Sequence, residues 1–273
     1  EKCVADGLDV SGGSTGPQAS DRSNGRRGSI RRMATEEFDI SVIITAHREG
    51  LLAGVSAQSA DAAVDAANST GLRCERIVVL DRADAATSDL LKGHYGDRAR
   101  ILETDEGDPG LSRNRGVKAA SGIHAAFLDA DDLWSENWLV EAHNFVTARP
   151  DVIAHSACNI VFGAHSMLWW HADSESAGCD PTYLEWMNYW DALAFARRDL
   201  LLKYPFVAND LKRGYGHEDW HWNQTTIAHG VPHKPVPETI HFKRRREGSQ
   251  SDLVDKRGGV TWPTATGANA LRR

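Results

Sequence analysis

Three carboxylates end the run "AAFLDADDLW", residues 125–134. Asp129 and Asp131 are separated by one residue, so on an extended strand end they point the same way, and Asp132 follows directly. Four apolar residues lead into them, which marks a buried type of strand, and buried charge without a partner is costly. Hard oxygen ligands in a small cluster suit Mg²⁺ or Mn²⁺, not Zn²⁺. Such sites use one or two carboxylates and let substrate phosphates fill the remaining positions. The pattern is that of a divalent cation arriving with a nucleotide diphosphate. A solvated strand-to-loop turn with helix-capping aspartates would use the same residues.

A second group of acids lies at "HEDWH", residues 217–221. It matches HExxH, in which two histidines one helical turn apart hold zinc and the glutamate is the base. It can equally be an acidic pair, Glu218 and Asp219, that supplies a general base. The flanks favour the pair. Gly214 and Gly216 stand just before the match, and Gln224 and Ile227 occupy the places of the further Gly and His in the extended zinc pattern. The chain has no Walker-type phosphate loop and no GxGxxG. A diphosphate would then be held by the metal and by basic side chains, for which Arg113 and the run Lys243-Arg244-Arg245-Arg246 are the candidates. Charge runs are also commonly solvated faces.

The elements that must position these groups alternate. Residues 39–46, 75–81, 98–105 and 124–132 read as strands. Helical stretches at about 49–69, 85–95 and 111–122 lie between them, the last expected to stop at Gly122. This β-α-β-α-β-α-β order predicts a mostly parallel sheet covered by helices, a Rossmann-like α/β fold. Each strand ends in polar residues: His47 and Arg48, Asp81, Asp105, and the Asp129 cluster. In open α/β sheets ligands bind at these carboxyl ends. After a helix at 136–148 the chain becomes rich in Trp and His through 162–191. This half is expected to be the substrate-specific part of the same domain. Tryptophan rings can stack on sugar faces while their N–H finds a polar partner. Trp169, Trp170 and Trp220 are the candidates for an acceptor pocket, against core packing as the alternative.

The chain has 273 residues and a formal net charge of -7, which argues against a surface that coats nucleic acid. No apolar run approaches the ~20 residues of a membrane helix, and no signal-peptide pattern opens the chain. The four cysteines are widely spaced and read as free thiols of a reducing compartment, so a cytoplasmic location is expected. Residues 1–36 are Gly/Ser/Arg-rich and are expected to be a flexible leader. A single domain is expected over 37–252, with a nucleotide-binding half at 37–134 and a substrate-specific half at 135–252. Residues 253–273 are expected to form a loosely structured tail.

These motifs together resemble a family 2 glycosyltransferase with the GT-A fold. They come in that family's order: "SVIITAHRE", "RIVVLD", "GLSRNRGVKAASG", "AAFLDADDLW", "YGHEDWHW" and "HFKRRREGSQS". Two departures stand out. Thr-Ala-His replaces the Pro-x-Tyr-Asn common in the opening strand, and "LDRADAAT" lacks the usual double Asp followed by Gly-Ser. The resemblance implies an inverting, metal-dependent transferase using Mn²⁺ or Mg²⁺ and a nucleotide-diphosphate sugar, with UDP as the nucleotide. It places Asp81 on the nucleobase and Thr45, Glu49, Arg113 and Asn114 around the nucleotide. Asp129 falls near ribose and metal, and Asp131 on the metal itself. Asp219 becomes the catalytic base and Glu218 the group that orients the acceptor. His241 and Arg246 are implied at the metal or the diphosphate. The acceptor is expected to be a saccharide or a lipid-linked sugar, the latter requiring peripheral contact with the inner membrane face. The competing expectations are a sugar nucleotidyltransferase, which would need a Gly-rich basic loop after the first strand, and a non-catalytic sugar- or nucleotide-binding module of a larger protein.

Overall fold

The computed structural model describes residues 38–246 and 248–264. The expected leader, 1–36, lies outside the described residues. Four strands, β1 (Ile40–Ala46), β2 (Cys74–Asp81), β3 (Arg100–Thr104) and β4 (His124–Asp129), pair in parallel in the order β3-β2-β1-β4. The crossovers are α1 (Leu52–Ser69), α2 (Ala85–Tyr95) and α3 (Pro109–Ala119). All seven positions of β1 are buried, as a strand covered on both faces requires. Its alternate residues feed two cores. Ile40, Val42 and Ile44 meet the alanine-rich inner face of α1, whereas Ile43 joins Ile77, Val79, Val117 and Phe127 on the other side.

Helix α3 begins earlier than its apolar pattern suggests. Asp108 caps it by accepting from the Leu111 N–H at 3.0 Å, and Pro109 takes the first helical position, where its missing N–H costs nothing. The helix ends at Ala119, because Ala120 turns extended. Gly122 is therefore not its stop. A Cβ there would come within 2.8 Å of the Ser41 backbone nitrogen, so this glycine lets the chain pass against β1. Gly116 has a similar use: a Cβ there would lie 2.3 Å from Ile43 Cγ2. The close seat it allows α3 on β1 aims Arg113, one turn earlier, at the end of β4.

The second half adds β5 (Leu133–Trp134), α4 (Trp138–Ala148), β6 (Ile153–Gly163), β7 (Met167–Trp170), β8 (Phe195–Arg197), α5 (Arg198–Lys203), α6 (Glu218–Ala228), β9 (His233–Arg245) and α7 (Gln250–Lys256). The sheet continues from β4 through β8, β6 and β9 to β5, with β7 paired to β6. Here the directions are mixed. β6 and β9 run parallel, while β8 is antiparallel to β4 and β6, and β5 is antiparallel to β9. The parallel sheet is thus a property of the first four strands.

The expected boundary at 252 falls inside α7, and the reading of 253 onward as loose is corrected for its described part. Val254 is buried and packs on Gly216, the Gly216 N–H donates to the Val260 carbonyl at 2.8 Å, and Trp262 stacks on Tyr215. Among the described residues, no helix is long and apolar enough to cross a membrane.

Candidate active site

The carboxyl ends of β1, β2 and β4, the start of α6, the end of β9 and α7 enclose one cleft of about 430 Å³. Thr45, Glu49, Asp81, Arg113, Asp129, Asp131, Glu218, Asp219 and Arg246, read from the sequence as site residues, all line it.

The three acids at the end of β4 each meet a basic side chain. Asp129 accepts two hydrogen bonds from the Arg113 guanidinium, at 2.7 and 2.9 Å, and a third from the Thr45 hydroxyl at 2.9 Å. Burial works against its charge, but Arg113 and then Lys243 outweigh it and hold the carboxyl below its usual range. Asp131 accepts from Arg246 Nε at 2.7 Å, and the same guanidinium reaches Glu49 at 3.0 Å. Asp132 is buried, 3.0 Å from Lys243 Nζ, and accepts from the Arg244 N–H at 2.6 Å. Its carboxyl is pushed up to about 7 by burial, with Lys243 opposing and Asp131 and Asp129 adding. Lys243 also stands 3.5 Å from Asp191 and 3.9 Å from Asp129. Burial alone would discharge this ammonium, yet Asp132, Asp191 and Asp129 together hold its proton more tightly than in water.

At the start of α6 the two acids diverge. Glu218 Oε1 accepts from Arg113 at 3.1 Å and its Oε2 from Asn209 at 3.0 Å. Glu218 thus bridges α3 to the loop before α6 while lining the cleft. Asp219 forms no ion pair among the described residues. Its carboxyl is pushed up to about 6, first by burial and then by Glu218, with Lys243 and Arg113 pulling the other way. A carboxylate with this balance is suited to receiving a proton near neutral pH. His217, just before it, sits in the left-handed region at φ 57 and lines the cleft, whereas His221 turns its Nδ1 toward the Trp262 carbonyl at 3.2 Å. The two histidines of "HEDWH" therefore face different neighbours.

Asp81 organises the loop that opens α3. Its Oδ1 accepts from the Thr104 hydroxyl at 3.1 Å and the Glu106 N–H at 2.7 Å, and its Oδ2 from the Asp108 N–H at 3.1 Å. Burial raises its carboxyl, but hydrogen bonds from Gly107, Ser112, Glu106 and Thr104 prevail and keep it ionised.

Several expected residues fall elsewhere. Asn114 does not line the cleft; its side-chain amide exchanges two hydrogen bonds with the backbone of Phe206, at 2.8 and 3.0 Å. His241 is fully buried between Trp134 and Trp138, one pleat deeper on β9 than Lys243, and is not a cleft residue. Burial drives its imidazole down to about 3, so it is a neutral core group. Trp169 and Trp170 lie on β7 and Trp220 donates its indole N–H to the Leu184 carbonyl at 2.6 Å; none of the three lines the cleft. The sequence reading missed Asp108, Asn209 and Asp191, and it treated Lys243 only as one of four basic residues. The alternation of β9 was the available signal, since Lys243 shares a face with buried His241.

Among the described residues, no group of three or more His, Cys, Asp or Glu is arranged to hold a metal ion by itself. At the end of β4, Arg246 engages Asp131 through Oδ2 alone, whereas Arg113 engages Asp129 through both oxygens.

Residues 41–204 match the family model described as Glycosyl transferase family 2. A curated relative described as an uncharacterized glycosyltransferase, from Rickettsia bellii (strain RML369-C), is 32% identical over 91 residues, which is 33% of this chain and 13% of that protein. Two solved structures share the arrangement. TarS 1-349 of S. aureus, in complex with UDP-GlcNAc, is 17% identical with a TM-score of 0.51, over 78% of this chain and 60% of that one. The mannosyltransferase PcManGT from Pyrobaculum calidifontis, in complex with GDP-Man and Mn²⁺, is 14% identical with a TM-score of 0.53, over 80% and 61%. The chain thus spans a small part of the curated relative and less than two thirds of either solved structure. At these identities the structural likeness is one of fold.

Proposed function

The chain belongs to glycosyl transferase family 2 and has the GT-A fold, and from that premise we propose that it moves a sugar from a nucleotide-diphosphate donor, a UDP-sugar foremost, to a hydroxyl of a saccharide or lipid-linked acceptor, inverting the anomeric centre. The observation that carries this reading is that Asp131 and Asp219 line one cleft while only Asp131 is ion-paired.

In this reading Asp219 takes the proton of the acceptor hydroxyl. The hydroxyl oxygen forms its bond to the anomeric carbon as the bond to the diphosphate oxygen breaks, and the electron pair leaves with the nucleotide. Attack opposite the leaving group makes this a single displacement. A base so placed contributes ~10²–10⁴-fold. Asp81 marks the nucleobase end of the cleft, and Arg246 offers its guanidinium to the diphosphate. The residues fit a divalent cation of the kind that needs one or two protein carboxylates, with Asp131 to hold it and Asp129 fixed behind. When bound, Mn²⁺ or Mg²⁺ would stabilise charge growing on the diphosphate. Arg246 must then exchange Asp131 for the diphosphate, a swap that keeps each charge partnered.

Calorimetric titration of UDP and GDP, with Mn²⁺ and with EDTA, tests the donor side. We expect one nucleotide to bind, with binding lost in EDTA and in Asp131→Ala. Equal binding with EDTA and in the variant would overturn the metal assignment, and absence of binding by either nucleotide would overturn the donor reading.

A further inference from the structure

Helix α6 carries the proposed base in its first turn, and its next residues grip a neighbouring segment. Trp220 Nε1 and Gln224 Nε2 both donate to the Leu184 carbonyl at 2.6 Å, and Asn223 Nδ2 donates to Asn188 Oδ1 and the Trp190 carbonyl at 2.8 Å. Leu184 and Trp190 are buried anchors at either end. Between and beside them the segment turns large rings outward: Tyr183 is 55% exposed and Trp186 79%. A segment fixed by four side-chain hydrogen bonds has little freedom to fold these rings away. Exposed aromatic rings that cannot fold away keep their apolar faces and polar edges open to a partner.

The chemistry of the surroundings selects the partner. From residue 150 to residue 196 the chain has no Lys or Arg, and Asp180 and Glu185 flank the two rings. An anionic membrane surface or a nucleic acid would be repelled there. A neutral saccharide would not. Its C–H faces suit aromatic rings, its hydroxyls can hydrogen-bond at the ring edges and with neighbouring carboxylates, and its ordering cost is reduced by a platform already fixed. The rings also stand on the segment bonded to Trp220, the residue next to Asp219.

We propose that Tyr183 and Trp186 form a platform on which a saccharide acceptor, several sugar units long, stacks beside the cleft. The inference rests on the glycosyl-transfer reading for its role but concerns a separate surface. Its test titrates the chain with maltopentaose, cellopentaose, chitopentaose and mannopentaose, observed by NMR at the tryptophan indole N–H signals. At least one should shift the Trp186 signal, with binding at least ~10-fold weaker in Trp186→Ala and Tyr183→Ala, while UDP and GDP titrate as in the wild type. If no pentasaccharide shifts that signal, or the variants bind as the wild type does, the platform is refuted. Trp186-dependent binding to phosphatidylglycerol vesicles in place of the sugars would also refute it. Saccharide binding at Trp186 by a chain that binds neither UDP nor GDP would support the platform and overturn the donor reading instead.

Discussion

At the end of β4 three carboxylates stand within four residues, and each meets a basic side chain. At the start of α6 two carboxylates stand side by side, and among the described residues only Glu218 forms an ion pair. Both groups line the same cleft. The paired acids are fixed in place, and Asp129 is held charged by Arg113 despite its burial. Asp219, with a like charge as its nearest neighbour, is held where a proton can come and go. The contrast between Asp129 and Asp219 shows how one pocket can contain a carboxylate locked in its charged form and another whose proton is exchangeable, using a single type of side chain.

The largest effect should come from erasing the labile side. Asp219→Asn is expected to lower transfer by ~10²–10⁴-fold with nucleotide binding retained, measured by steady-state turnover and calorimetry. Normal turnover would remove Asp219 as the base. Erasing a rigid member should instead act on folding. Arg113→Ala leaves buried Glu218 without its cation and half-buried Asp129 with only Lys243 at 3.9 Å, so a loss of about 3–5 kcal/mol in urea unfolding is expected. A loss below about 1 kcal/mol would mean that water enters and takes over the guanidinium's role.

Acid should separate the two groups again. Because Asp219 must be ionised to accept a proton, the transfer rate should fall as pH drops below about 6. The linkage has the opposite sign for stability. A carboxyl raised from 3.8 to about 6 on folding favours the fold fully below the lower value and loses that contribution as pH rises through the higher one. Asp219→Asn, which imitates the protonated state, should therefore raise Tm at pH 8, by roughly 3 °C or more, and gain little near pH 4. The smallest effect on stability is expected at Arg246, which is one third exposed. Arg246→Ala should cost under about 1 kcal/mol while still weakening nucleotide binding, a split that thermal unfolding and titration would expose.

β1, β2 and β4 could be read from sequence because each is a short apolar run, β3 (RILET) from its place between two helical stretches, and α2 falls on the expected 85–95. The polar residue ending such a run could be read as well, which is why Asp81 and Asp129 were found. Partners distant in sequence could not. Lys243 and Asp132 are 111 residues apart, and although alternation along β9 puts Lys243 on the face of buried His241, nothing local in "HFKRRR" names the carboxylates it meets. Asp191 and Asn209 were missed for the same reason: each owes its meaning to a contact made only after the second half of the sheet has assembled. His241 shows the converse. The resemblance implied it at the metal or the diphosphate, but the two tryptophans that enclose it come from a different part of the chain.

The contact between Gly216 and the segment after it has a practical side. The backbone just before the base is bridged to Val260, and Val254 fills the space that a side chain at 216 would take. A gene trimmed at residue 252, where the motifs run out, would encode every acid and base of the cleft and yet remove the splint that sets the turn at His217. Such a fragment should bind nucleotide poorly or turn over slowly with its active residues intact. The segment through Trp262 therefore belongs in any expressed version of the chain, and anything bound to it has a short mechanical route to the turn before Asp219.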